Sequence, residues 1–220
     1  MIEIAKKPVY RFFKRCFDII ASFLGLVILF VPFLVLSIII VIDSPGASPI
    51  YVQDRVGKDG RIFRFYKFRS MVPDADKKLD ELLDRNEMQG PAFKIKHDPR
   101  VTRVGRFIRK TSIDELPQLL NIIAGQMSII GPRPALANQT ELLEMREKNG
   151  SAALRPGLTG WAQINGRDEL PDEIKAGYDG EYAEKISFGF DLKCFFGTIG
   201  AVLRSDGVGA GAQHKDEEAE

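Results

Sequence analysis

Residues 19–42, IIASFLGLVILFVPFLVLSIIIVI, contain no charged side chain. As one helix they would extend about 36 Å, enough to cross the hydrocarbon core of a bilayer. A secretory leader has a shorter apolar stretch, and a chain of 220 residues is too small to bury so long and uniform a helix in its core. The segment is therefore expected in a membrane. Lys6, Lys7, Arg11, Lys14 and Arg15 precede it, and Arg55, Lys58, Arg61, Arg64, Lys67 and Arg69 follow it. Bases mark the cytoplasmic side, so both flanks favour the same side. Pro32, near the middle, removes a helix hydrogen bond. These facts suit a re-entrant helix-break-helix that enters and leaves by one leaflet. On charge and proline alone, a kinked transmembrane anchor stands level with it.

The remaining composition narrows the classes. Net charge is +1, but residues 205–220 hold five acids against one base, which leaves a mildly basic body of 30 bases and 25 acids. Such a body tolerates anionic ligands or anionic lipid. A nucleic-acid binder would be more basic and would carry a recognisable module. Two cysteines and two histidines exclude a disulfide framework and make a zinc or histidine metal site untenable.

Along the chain, residues 1–18 interleave bases with Tyr10, Phe12, Phe13 and Phe17, as an interfacial helix does. Residues 49–71 predict a β-hairpin with a turn at 57–60, whose second strand places Phe63, Phe65, Lys67 and Arg69 on one face. Residues 73–88 predict a charged helix, 101–110 a short basic amphipathic stretch, and 135–148 and 172–184 two more helices. Residues 155–171 are Gly-rich and predict a loop, 187–205 are apolar and Phe-rich, and the acidic tail is expected to be disordered.

The stretch 109–134, RKTSIDELPQLLNIIAGQMSIIGPRP, concentrates the chemistry. Ser112-x-x-Glu115 fits a capping box. Pro117 favours a helix that begins at the acids, because no hydrogen bond is lost when proline is third in the helix. Helix-start N–H groups would then favour ionised Asp114 and Glu115. An ionised carboxylate can attack phosphorus or ligate Mg²⁺. Arg109, Lys110 and Arg133 lie close by in sequence, Arg155 and Arg167 flank the Gly-rich loop, and Lys67 and Arg69 end a strand. Guanidiniums take phosphate bidentately and lysine acts as a point charge. Taken singly, each of these bases is better read as an ordinary solvated one. Trp161 and Gln163 can stack on and hydrogen-bond a nucleobase, although core packing is the better account of a lone Trp.

KRCFDII, Pro32 within the apolar run, YVQDRVGKDGRIFRFYKFRSM, RVTRVGRFIRKTSIDELPQLLNIIAGQMSIIGPRP, RPGLTGWAQINGR and ISFGFDLK together resemble the bacterial sugar transferase family of small monotopic polyprenyl-phosphate phosphoglycosyl transferases. The resemblance spans roughly residues 14–205. It implies transfer of a sugar 1-phosphate from a UDP-sugar to polyprenyl (undecaprenyl) phosphate, releasing UMP and starting exopolysaccharide, lipopolysaccharide or other glycoconjugate assembly. Asp114 would be the nucleophile, Glu115 the Mg²⁺ ligand, and Lys67, Arg109 and Arg133 the phosphate-holding bases. Arg69, Arg155, Gln163, Arg167 and Asp179 extend the implied substrate site.

The fold expected from the resemblance is α/β, mostly helical with a short β-hairpin. Residues 1–48 would form the lead-in and re-entrant hairpin, 49–205 the cytoplasmic catalytic domain with interfacial helices, and 206–220 the tail. The place would be the inner membrane, with lipid of the cytoplasmic leaflet as partner and room for a homo-oligomer. Family members often carry Ser-Pro at the helix break, where this chain has Val31-Pro32. Larger relatives add an N-terminal membrane bundle, so the chain resembles the minimal catalytic form. Two other readings use the same residues: a membrane-bound nucleotide-sugar hydrolase, and a non-catalytic scaffold that binds anionic lipid.

Overall fold

The computed structural model describes residues 7–78, 98–166 and 170–204. Most of the predicted charged helix at 73–88 and all of the predicted disordered tail lie outside these residues. The architecture is mostly helical around two small sheets. Helix α1 (Pro8–Asp43) comes first, followed by strands β1 (Ile50–Val56) and β2 (Ile62–Phe68) and helix α2 (Arg103–Lys110). A 3₁₀ turn (Ile113–Gln118) runs into α3 (Leu119–Ile123), then β3 (Ser128–Ile130) and α4 (Thr140–Asn149). Strand β4 (Gly157–Thr159), α5 (Trp161–Ile164), α6 (Asp172–Lys185) and α7 (Phe188–Arg204) complete the order.

Helix α1 continues through Pro32 as one element, without the expected break. Its face toward the domain repeats at helical spacing: Tyr10, Asp18, Ser22 and Ile40 are buried, and Leu26, Leu29, Phe33 and Leu36 pack against core clusters. Phe33 meets Phe68 edge-on at 5.0 Å, which covers the buried face at the far end of β2. Both polar ends of α1 are tied to the same domain. Asp18 Oδ1 accepts the Ile129 N–H at 3.0 Å, and Asp191 accepts Tyr10 Oη at 2.6 Å and Lys14 Nζ at 2.8 Å. At the other end Asp43 accepts the Val104 N–H at 3.2 Å, and Arg69 donates to the Ser44 carbonyl. The opposite face, from Phe12 to Ile42, is an unbroken apolar surface open to the surroundings.

The hairpin forms as its period-2 pattern predicts, with Ile50 opposite Phe68 and Val56 opposite Ile62. Phe63 and Phe65 bury into a cluster with Leu119, Ile122 and Met127. Asn121, fully buried, joins the free edge of β2 to α3: its Nδ2 donates to the Arg64 carbonyl at 2.6 Å and its Oδ1 accepts the Tyr66 N–H at 3.2 Å. The side-chain amide thus does for this edge what another strand would do.

The described part of the predicted loop, residues 155–166, holds a strand and a short helix. Its β4 pairs in parallel with β3, Ser128 opposite Gly157 and Ile130 opposite Thr159, with α4 in the crossover. Glycine makes this pairing possible. A Cβ at Gly131, Gly157 or Gly160 would run into the backbone of the facing segment. Gly105 likewise lets α2 rest directly on the Ser70 carbonyl. The basic stretch at 101–110 becomes α2, capped by Thr102 Oγ1 accepting the Gly105 N–H at 2.9 Å. The Phe-rich stretch becomes α7, with Phe188, Leu192, Phe195, Phe196 and Ile199 exposed along one stripe. Such a stripe is the mark of an interfacial helix.

Candidate active site

The acid pair sits in the 3₁₀ turn between α2 and α3, not at the start of an α-helix. Ser112 lies in the left-handed region at φ 56° and makes no capping bond with its side chain, so the capping-box reading is overturned. Glu115 does not turn back to Ser112. Instead its carboxylate meets Arg133 in a two-pronged pair, Oε1 to Nη2 at 2.8 Å and Oε2 to Nη1 at 3.3 Å. The 3₁₀ geometry also accommodates Pro117, since only a short run of the ladder must do without its N–H.

Arg133 is held by its backbone on all sides. The Pro132 carbonyl accepts the Gly157 N–H at 2.8 Å, the Arg133 carbonyl accepts Arg146 Nη1 at 2.9 Å, and the Pro134 carbonyl accepts Arg55 Nη1 at 3.2 Å. The two prolines leave no N–H of their own to satisfy and fix φ on both sides. Pro-Arg-Pro is therefore a rigid mount for one guanidinium.

Asp114 has a different environment. It is 8 % exposed, and among the described residues no hydrogen bond holds its carboxylate. Burial, then the neighbouring Glu115 charge, push its pKa up to about 7, against the pull of Lys67, Arg109 and Arg133. The expected favouring of the ionised form by helix-start N–H groups does not occur, because none of them bonds this carboxylate and desolvation dominates. Lys67 is pushed down to about 8, chiefly by burial and then by the Arg109 and Arg55 charges, with Asp114 and Glu115 opposing. Its ammonium lies 5.3 Å from the Tyr51 ring centre. The structure therefore gathers Lys67, Arg109, Asp114, Glu115 and Arg133 at one place.

Other predicted site residues fall elsewhere. Asp179 is not free to touch a substrate: Arg146 donates Nε and Nη2 to its Oδ2 at 2.9 and 2.6 Å, and both side chains are buried. Asp179 thus stands behind Arg133, holding the residue that holds the Arg133 carbonyl. Arg69 is buried at the end of α1, bonded to the Ser44 carbonyl. Arg155 is exposed and donates Nε to the Gly125 carbonyl at 2.9 Å, at the far end of α3 from the acids. Gln163 is buried beside Gly160, with neither amide atom bonded. Trp161 donates to Glu181 at 2.6 Å and packs on Phe190 and Lys193, as a core residue would. Arg167 lies outside the described residues.

Asn121 and Arg146 have no counterpart among the sequence expectations. Asp18 and Asp191 were also passed over, although each had a signal: a lone acid abutting or interrupting an apolar run.

The acid pair offers oxygen donors only, which suits Mg²⁺. Arg133 occupies one lone pair on each Glu115 oxygen and leaves the others available. Among the described residues no group of three or more metal-ligating side chains forms. A cation here would need substrate phosphate and water as well, as Mg²⁺ ordinarily does.

Residues 9–205 match the sequence profile of the family described as Bacterial sugar transferase. A UDP-galactose-lipid carrier transferase of Erwinia amylovora is 41 % identical over 202 residues, covering 90 % of this chain and 42 % of the relative. An undecaprenyl-phosphate galactose phosphotransferase of Salmonella typhimurium is 39 % identical over 202 residues, with the same coverage. The exopolysaccharide production protein ExoY of Rhizobium meliloti is 40 % identical over 212 residues, covering 92 % of this chain and 91 % of the relative. The chain thus spans about two-fifths of the length of the first two relatives and nearly all of the third. This chain belongs to the bacterial sugar transferase family.

Proposed function

We propose that this protein transfers a sugar 1-phosphate from a UDP-sugar to polyprenyl phosphate, releasing UMP. The carrying observation is the contrast between adjacent carboxylates: Glu115 is locked by Arg133, whereas Asp114 is unbonded and faces three cations. Neighbouring carboxylates in opposed environments take different roles. Asp114 is the nucleophile. Its ionised oxygen attacks the β-phosphorus, the bond to the bridging oxygen breaks, and UMP leaves with that electron pair. An acyl phosphate then joins Asp114 to the sugar phosphate. A phosphate oxygen of the lipid attacks the same phosphorus, and Asp114 departs as a carboxylate. Lys67, Arg109 and Arg133 hold the phosphate oxygens in line and offset the charge that builds on them. Glu115 would hold Mg²⁺, which supplies charge neutralisation of the diphosphate when bound. The names of the relatives, a UDP-galactose-lipid carrier transferase and an undecaprenyl-phosphate phosphotransferase, support this reading.

The direct experiment supplies a panel of UDP-sugars with undecaprenyl phosphate and Mg²⁺ and reads UMP. Withholding the lipid should leave a sugar phosphate on the protein, seen as an intact-mass increase that disappears in Asp114→Asn. Free sugar phosphate appearing without lipid would instead support a nucleotide-sugar hydrolase. Vesicle binding with no UMP at all would support a scaffold.

Membrane seating belongs to the same proposal. A helix whose two polar ends both bond one domain keeps both ends on the side where that domain lies. The open apolar face of α1 and the stripe on α7 then meet lipid together. A tag inserted after residue 48 should be accessible from the cytoplasmic side of the inner membrane, as should the catalytic domain. Access from the periplasmic side alone would refute the one-leaflet seating.

A further inference from the structure

At the end of α3 remote from the acids, two guanidiniums converge. Gly125, at φ 84°, closes the helix in a Schellman motif, with the Gln126 N–H on the Asn121 carbonyl at 3.0 Å and the Gly125 N–H on Ile122 at 3.0 Å. Arg15 of α1 donates to the Ile122 and Ile123 carbonyls at 2.7 and 3.0 Å, and Arg155 donates Nε to the Gly125 carbonyl at 2.9 Å. A Cβ at Gly125 would lie 3.5 Å from Arg15 Nη2, so the two side chains reach the same residue from different segments.

Helix C-termini attract cations, but this one holds two where one would do. Burial and then the Arg155 charge lower the Arg15 pKa, and Asp18 alone opposes them. Asp18 is itself 2 % exposed and bonded to Ile129. Arg155 is exposed, and among the described residues its two terminal nitrogens carry no bond. An excess positive charge with free, forked donors is left at the surface, in the geometry that takes a phosphate.

Location decides the kind of phosphate. Arg15 comes four residues before the uncharged run begins. Ile19 and Phe23, at i+4 and i+8 from Arg15, are 39 % and 59 % exposed on the same line of the helix. A charged head at Arg15 and Arg155 would thus continue into an apolar track.

We propose that Arg15 and Arg155 form a binding site for the phosphate headgroup of an anionic phospholipid, whose acyl chain lies along Ile19 and Phe23. The 3₁₀ turn and α3 separate this site from Asp114 by about 15 Å along their axis. A phosphate held here cannot reach a phosphorus carried on Asp114, so the ligand is bulk lipid and not the acceptor. The inference rests on the one-leaflet seating proposed above. It needs no turnover.

The test uses the full chain carrying Asp114→Asn, in detergent, titrated with phosphatidylglycerol or phosphatidylcholine and read by native mass spectrometry. One phosphatidylglycerol should be retained in preference to phosphatidylcholine. Arg155→Glu should weaken that retention at least five-fold, since each base at a lipid surface contributes about that factor. Arg155→Lys should keep most of it, and Lys148→Glu, an exposed base of α4 paired with Glu144, should change nothing. Equal retention of the two lipids, or an equal loss in Lys148→Glu, overturns the site. Retention of inorganic phosphate as tightly as the lipid would make it a soluble-anion site. Parallel loss of undecaprenyl phosphate in Arg155→Glu would make it the acceptor's site. Either result overturns the assignment to bulk lipid.

Discussion

Asp114→Asn should release no UMP and yet unfold at a higher temperature than the parent protein at alkaline pH. The reason lies in where the carboxyl titrates. Its pKa in the fold is raised to about 7, against about 3.9 in an unfolded chain. A raised carboxyl contributes stability that is fully present below the unfolded value and is lost as pH climbs through the folded one. At pH 8 the fold therefore carries a buried anion at a cost of up to about 4 kcal/mol. Asparagine cannot ionise and escapes that cost.

For a domain of this size each kcal/mol moves Tm by about 2–4 °C. The variant should melt about 5–10 °C above the parent at pH 8.5, and the gap should shrink to about a third by pH 5 and close only below about pH 4. Melting is followed in EDTA so that no cation screens the acids. A gap that stays constant with pH would mean that Asp114 does not titrate in this window. Activity in the parent should mirror the same ionisation: kcat/KM reports the free protein and should fall tenfold per pH unit below about 7. Glu115→Gln removes the neighbouring negative charge and should move that limb to lower pH.

The position of the proposed nucleophile was legible in the sequence, but its ionisation was not. Adjacent acids near basic residues identify Asp114 and Glu115, and the prolines identify Arg133 as fixed. The hairpin was legible too, because alternation and a Gly-bounded turn are local signals. What escaped depends on distant partners. Ser112-x-x-Glu115 reads as a capping box until Arg133, 18 positions later, takes the glutamate. Strands of three residues with glycine at the contacts carry no alternation, so β3 and β4 were invisible as a parallel pair. Arg146 sits in TELLEMREKN, where it resembles any solvated helix charge, and its partner Asp179 is 33 residues away. Resemblance placed Asp179 at the substrate. The fold places it one bond further back, where its charge serves Arg146.

That pair makes the second large prediction. Arg146→Met should destabilise the protein by about 3–5 kcal/mol, because Asp179 remains buried without its partner. Tm should fall by about 6 °C or more. The Arg133 carbonyl also loses its donor, so the two-pronged grip on Glu115 loosens and UMP release should drop with it. The double variant Arg146→Met/Asp179→Leu separates these effects. A buried ion pair replaced by apolar groups of similar size is often neutral or stabilising, so Tm should recover. UMP release should not recover, since the mount for Arg133 still lacks its bond. If the single variant melts within 2 °C of the parent, the pair does not carry the buried charge as described. If the double variant regains full activity, Arg146 acts only on stability and does not position Arg133.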